Sequence, residues 1–248
     1  MQRVALVLFT LVQFVIIHAS AAETTAFKIN LTSSGEKSKS SKLMKEIVKI
    51  LYAQANYQVE FVHSTRKRES VLLQQAKIDA VLARYRHIGD AQPNLIRLEP
   101  ELIKAYAIII CHNNEHCQSY RQTTIGYLQH FQYAKSFCTE QQLNCKEFNS
   151  EISLYRAMAA GFIDVMISYD VTIEMLKKIK FDNQIYVKKL QELSFNSYHY
   201  LHIKNKKYLS QLNHALKKLH QERVIEKMYE QFQYESLANK SIIILPSQ

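Results

Sequence analysis

The chain has 248 residues, 47% hydrophobic, 22% charged and 10% aromatic, a globular composition that excludes disorder, collagen and low-complexity sequence. Its four glycines, Gly35, Gly89, Gly126 and Gly161, stand too far apart for a GxGxxG or GxxxxGKS phosphate loop, so the common nucleotide-binding motifs are excluded too. The net charge of +10 is spread over positions such as Lys37, Lys39, Lys42, Lys45 and Lys49, or Lys177, Lys178 and Lys180, which reads as solvated helix faces rather than a nucleic-acid surface.

The first element is a targeting segment. Met1 to Arg3 carries one positive charge, Val4 to Ile17 is apolar except for Thr10 and Gln13, and Ala19-Ser20-Ala21-Ala22 offers small residues for cleavage. The apolar run is short of the ~20 residues that span a bilayer, and no Cys follows it to take a lipid. Residues 1–21 are therefore expected to be a cleaved signal peptide, and the mature protein to be periplasmic, which leaves no place for nucleic acid as a partner.

Phe27 to Thr32 reads as a strand. Ser40 or Ser41 is expected to cap a helix whose apolar positions Leu43, Ile47 and Leu51, with Met44 and Val48, recur at three- and four-residue spacing. Strand Tyr57 to Val62, helix Arg68 to Ala76 and strand Ile78 to Ala83 complete a β-α-β-α-β unit, which implies parallel strands with helices on the faces. Ligands in such sheets sit beyond the carboxyl ends of the strands, where Arg84 follows. A loop around Gly89 to Pro93 leads to a long apolar strand, Leu102 to Cys111. The grammar then repeats: strand Thr124 to Leu128, helix Phe131 to Phe137, strand Lys146 to Phe148, helix Ile152 to Ala160 and strand Ile163 to Ser168. Helix Val171 to Lys180, strands Ile185 to Leu190 and Tyr198 to Ile203, and helices Tyr208 to Leu219 and Val224 to Phe232 follow, with a short tail. The fold class is α/β in two similar lobes.

Four cysteines in an exported chain read as two disulfides. Three pairings exist, and the spacing favours Cys111 with Cys117 and Cys138 with Cys145. The competing reading is a metal held by Cys111, His112, His116 and Cys117, against which stand the missing CxxC spacing and the oxidising compartment.

Lys77-Ile78-Asp79-Ala80-Val81, Gly161-Phe162-Ile163-Asp164-Val165-Met166 and the closing Ile225 to Phe232, in this order of elements, resemble the family 3 extracellular solute-binding proteins, which include the polar amino-acid receptors of ABC transporters. The resemblance spans roughly Phe27 to Phe232. It implies the type II periplasmic-binding-protein fold: residues 22–105 with 196–248 as one lobe, 106–195 as the other, and two hinge crossings near Ala105 and Phe195. It further implies a monomer that closes on a small polar solute, an amino acid or related carboxylate, and presents it to a membrane permease, with no cofactor and no metal.

Enclosing a zwitterion strips water from both of its charges, so the cleft must supply a guanidinium for the carboxylate and an acid for the ammonium. By the resemblance, Arg84 stands five residues after Asp79 as the carboxylate ligand, and Arg68 eleven residues before it as a second candidate. Either also reads as a solvated surface arginine. Tyr169 and Asp170, at the end of the second lobe's strand, are candidates to face the amine, although Asp170 is equally placed to cap the helix from Val171. Tyr106 and Tyr127, with Tyr57 and Phe61, are candidates to stack on a ligand or to be core. Asp79 and Asp164 read as structural residues at turns.

The chain departs from the family pattern where Thr and Arg are expected beyond Asp79, and Ile88 and Ala91 stand near those places. His130 replaces a glycine near the ligand, and the chain has no Trp. Two alternatives to a transport receptor therefore remain open. One is a solute-sensing module for a membrane partner. The other is a dehydratase-like enzyme on the same fold, for which His63 and His87 are the histidines best placed to approach the cleft.

Overall fold

The structure, a computed structural model, describes residues 26–32, 39–129, 131–169, 184–237 and 242–246. The expected signal peptide, the helix at 171–180, His130 and Asp170 lie outside the described residues.

The first unit is β1 (Phe27–Thr32), α1 (Lys39–Gln54), β2 (Val59–Ser64), α2 (Arg66–Gln74) and β3 (Ala80–Tyr85). β1 lies between β2 and β3 and pairs with both in parallel. α1 buries Leu43, Ile47, Val48, Leu51 and Tyr52, the three- and four-residue recurrence that lays one helix stripe on a sheet. The helix already begins at Lys39, so Ser40 and Ser41 stand in its first turn instead of capping it from outside. α2 is capped by Thr65, whose hydroxyl oxygen accepts the Arg68 N–H.

The second unit repeats this plan: β6 (Ile125–Leu128), α5 (Gln132–Glu140), β7 (Cys145–Phe148), α6 (Glu151–Ala159) and β8 (Val165–Tyr169), with β6 between β7 and β8 in parallel. The same device fixes the third strand of each unit. The Lys28 N–H donates to the Asp79 carboxylate at 2.8 Å while the Asp79 N–H returns to the Lys28 carbonyl. The Thr124 N–H and Asp164 make the same exchange, also at 2.8 Å.

Between the units run α3 (Arg86–Gly89), β4 (Leu95–Arg97), β5 (Ile103–Cys111) and α4 (Asn114–Gln118); after them come β9 (Ile185–His202), α7 (Leu209–Gln221), α8 (Val224–Leu237) and β10 (Ile242–Ile244). β9 is one 18-residue strand where the alternation suggests two. It pairs antiparallel with β5 from Cys111 opposite Tyr186 to Ile103 opposite Ser197, and the register slips between Tyr106, opposite Ser194, and Ala107, opposite Leu190. Gln191 to Leu193 form the excursion, and their polar start is what breaks the alternation. The sheet order is β2-β1-β3-β9-β5-β8-β6-β7, so β5 and β9 carry the chain between the units, with Ala105 opposite Phe195. The carboxyl-terminal segment, expected as a tail on the first lobe, instead adds β10 in parallel to Ile185–Val187 of β9, at the second unit's end of that strand.

Each unit has its own core. Ile29, Ile47, Leu51, Leu212 and Leu216 are among the buried residues of the first, closed by α7 and α8; Ile109, Ile125, Phe131 and Ile167 on one sheet face, and Ile110, Met158 and Met166 on the other, build the second. The disulfides are Cys111–Cys117 and Cys138–Cys145, the pairing expected from spacing. Each closes a short loop, contributing about 2 kcal/mol by chain entropy. Both sulfurs of the expected metal alternative are consumed in the first bridge.

His199 lies wholly buried in the first unit. Its Nε2 meets the Tyr52 hydroxyl at 2.9 Å and its Nδ1 the Leu82 carbonyl at 3.0 Å, an arrangement that suits a neutral ring donating from Nδ1. Burial holds its pKa down to about 4. A histidine made less basic by folding withdraws stability as the pH falls below ~6.5, where the unfolded chain takes up the proton, until the folded ring protonates as well. We expect the His199 imidazole resonances to report a neutral ring down to about pH 4; titration near the ordinary histidine value would contradict this packing.

Candidate functional site

Beyond the carboxyl ends of β1 and β3 lies a cavity of about 360 Å³. One wall is Leu31 and Thr32 with Ser40, Ser41 and Met44 from the start of α1; another is Leu82 to Tyr85 with Ile88; Ile103, Ala105, Phe195 and Ser197 of the crossing strands form the back, and Arg66 stands at the first position of α2. In-facing residues of the crossing are odd-numbered on both strands because Ala105 and Phe195 are partners and share a face.

β3 bulges against β9 between Val81 and Arg84, where three steps on one strand match two on the other. The bulge re-aims the end of β3, and the Arg84 guanidinium turns onto α2. Its Nη2 donates to both Glu69 carboxylate oxygens, at 2.5 and 2.6 Å, and its Nη1 to the Ala83 carbonyl at 2.7 Å. Glu69 also accepts from Asn30 Nδ2 at 2.5 Å, and Asn30 Oδ1 accepts the Ser64 hydroxyl at 2.8 Å. The two charged side chains are 17% and 8% exposed. The cavity wall thus contains an arginine whose charge is balanced from behind. Arg66, exposed, makes no ion pair among the described residues.

An aromatic cluster joins the two units beside the cavity. Phe195 is its centre, with ring centroids 5.5 Å from Tyr85 of β3, 5.3 Å from Tyr133 of α5 and 5.3 Å from Tyr169 of β8. Phe131 lies 3.8 Å from Tyr169, and the Tyr133 hydroxyl reaches His87 Nδ1 at 3.3 Å. Burial, reinforced by Tyr85, pushes the Tyr169 hydroxyl well above its ordinary pKa, so it stays a neutral donor.

No family model matches the chain. A Shewanella oneidensis protein, described only as uncharacterized, is 27% identical over 194 residues, 72% of this chain and 71% of that one. Among solved structures, a substrate-binding domain assigned to an amino acid ABC transporter of Streptococcus pneumoniae superposes with a TM-score of 0.66 at 15% identity, over 84% of this chain and 99% of that one. The GluR0 ligand-binding core in complex with L-glutamate gives 0.62 at 9%, over 85% and 99%. An ancestral cationic amino acid solute-binding protein gives 0.62 at 14%, over 84% and 95%. The chain has the type II periplasmic-binding-protein fold.

Within this fold the cavity is lined by the first unit and by the two strands that cross between the units. Of the residues singled out in the sequence, Arg84 lines it and Tyr169 stands in the adjoining aromatic cluster. The Arg84 guanidinium is also engaged by Glu69. Arg68 is exposed on α2 and absent from the cavity wall, which takes Arg66 two residues earlier. Tyr106 points to the opposite sheet face, since it is one pleat out of phase with Ala105; there its ring lies 3.7 Å from Lys189 Nζ and 5.4 Å from Lys104 Nζ. Tyr127 is buried in the second lobe's core, its hydroxyl donating to Glu147 at 3.2 Å. Tyr57 and Phe61 pack against the first core. Sequence reasoning passed over Arg66, Tyr85 and Tyr133.

Removing one partner of a buried ion pair strands the other. Arg84→Ala is expected to cost about 3–5 kcal/mol, with most of it recovered in Arg84→Ala combined with Glu69→Leu. Urea unfolding of the two variants checks this; an Arg84→Ala protein as stable as the parent would show that the pair does not hold the lobe.

Proposed function

We propose that the chain is an exported solute-binding protein whose two lobes, 22–105 with 196–237 and 106–195, close on a small polar solute and present it to an ABC-type membrane permease. The observation that carries this reading is the cavity at the carboxyl ends of the first lobe's strands, walled at its back by the two strands that connect the lobes. That is where a ligand touches both the binding surface and the element whose bending closes it. Fold relatives include a core solved with L-glutamate and a cationic amino acid binder, which supports an amino acid or related carboxylate as the solute. The segment 1–21 supports export, and no helix of the described residues is long and apolar enough to cross a membrane.

The chemistry of the wall modifies the ligand. With Arg84 balanced by Glu69, a solute carboxylate meets Arg66 at the mouth, while Met44, Tyr85, Ile88 and Phe195 favour an apolar or aromatic body. Binding is favoured by a wall that offers Ser40, Ser41, Ser197 and Arg66 as hydrogen-bonding and charged groups around an apolar body. This holds even though one fold relative is described as a precursor of cyclohexadienyl dehydratase.

The test is a thermal-shift screen of the mature protein, unfolded and refolded to strip it, against amino acids, organic acids, polyamines and sugars. A solute at about 100 times its Kd adds about 2.7 kcal/mol, or roughly 5–11 °C in a chain of this size. Arg66→Ala is expected to weaken solutes that carry a carboxylate at least tenfold and to leave uncharged sugars unchanged. No shift across the panel, or a solute that is consumed, would overturn the receptor reading.

A further inference from the structure

Lys188 occupies a core position. It alternates along β9 with Tyr186 and Leu190 on the face that builds the second lobe's main core, directly opposite Ile109 of β5, and only 8% of it is exposed. Its ammonium donates to Gln118 Oε1 at 3.2 Å, a neutral amide. It forms no ion pair with any carboxylate among the described residues. An ammonium withdrawn from water with one neutral acceptor and no counter-charge is costly; two of its three donors are left to be satisfied.

The side chain borders a second cavity of about 360 Å³, which shares no lining residue with the cleft, between the end of α4, the single turn Tyr120–Gln122 and the Gln191–Glu192 excursion of β9. Its carboxylate is already committed: Glu192 accepts the Tyr120 hydroxyl at 2.6 Å and faces Arg121 at 3.5 Å. Arg121 also donates to Gln141 at 2.8 Å. The cavity is therefore lined by Lys188 and Arg121 against one engaged carboxylate, with Lys189 also in the lining but its ammonium over the Tyr106 ring at 3.7 Å, and Gln118, Gln122 and Gln191 add amides that can donate. We propose that this cavity is a second ligand site, taking a small oxyanion, carboxylate or phosphate, with the Lys188 ammonium as its buried counter-charge and Arg121 at its rim. The site is built on the excursion where β9 passes between the lobes, so its occupant is held by the hinge region and not by the cleft.

The probes are sodium phosphate and sodium succinate, titrated into the mature protein at ionic strength fixed with sodium chloride, with melting temperature and calorimetry as readouts. At least one probe is expected to bind saturably. Lys188→Met, which replaces a buried charge with an apolar chain and is itself neutral to stabilising, is expected to weaken that probe at least tenfold and Arg121→Gln to weaken it less, while in Arg66→Ala, where acidic solutes are weakened at the cleft, the Lys188-dependent binding is expected to persist. Response to phosphate alone or succinate alone names the oxyanion. Neither probe exceeding chloride, or equal affinity in Lys188→Met, overturns the site; should Lys188→Met not fold, unchanged affinity in Arg121→Gln overturns it instead.

Discussion

The antiparallel pairing of β5 with β9 is the constraint on which the molecule depends. These strands are shared by both halves of the sheet, so their register decides what each lobe offers the other. Ala105 and Phe195 are partners and look into the cleft, and the next pleat sends Tyr106 to the opposite face among Lys104 and Lys189. The slip at Gln191–Leu193 lets one strand serve two lobes with different phases. It also brings Glu192 onto Tyr120 and Arg121. β10 adds a further tie, since the end of the chain returns to Ile185–Val187.

Lys188 apart, the charges of this frame are met by partners. Asp79 and Asp164 each hold the backbone of their lobe's opening segment, and Asp79 is held below the usual carboxylate range: burial acts against this but is outweighed by Asn205, the Lys28 N–H and Lys204. Glu69 balances Arg84, and Asn30 and Ser64 complete the network. On the proposed reading, a cleft whose inner arginine is neutralised from behind would recognise its solute more through shape, aromatic contact and rim charge than through a desolvated ion pair. The sequence reading, in which Arg84 meets the ligand carboxylate, contains no sign of Glu69 behind it.

The fold is legible in the sequence because its signals are local. Leu43, Ile47 and Leu51 announce a helix stripe, and the two segments around Asp79 and Asp164 mark the same junction in each lobe. The site is less legible because it is made by partners distant in the chain. Glu69 lies 15 residues from Arg84, and nothing in the order of residues says that this acid on α2 faces the sheet. Tyr106 and Tyr127 are strand aromatics whose direction depends on pleat phase, which the sequence leaves free by one residue. Gln191-Glu192 reads as a loop until β5 lies beside it, which is why one strand is read as two.

The central claim is that the lobes close on a solute held at the crossing strands. Small-angle X-ray scattering of the stripped mature protein, with and without the solute that most raises its melting temperature, tests this most directly. A saturable fall in radius of gyration, with the same concentration dependence as the thermal shift, is the predicted result. Strong thermal stabilisation with an unchanged scattering curve would contradict it, because a solute bound without moving the lobes would not be the ligand of a closing cleft.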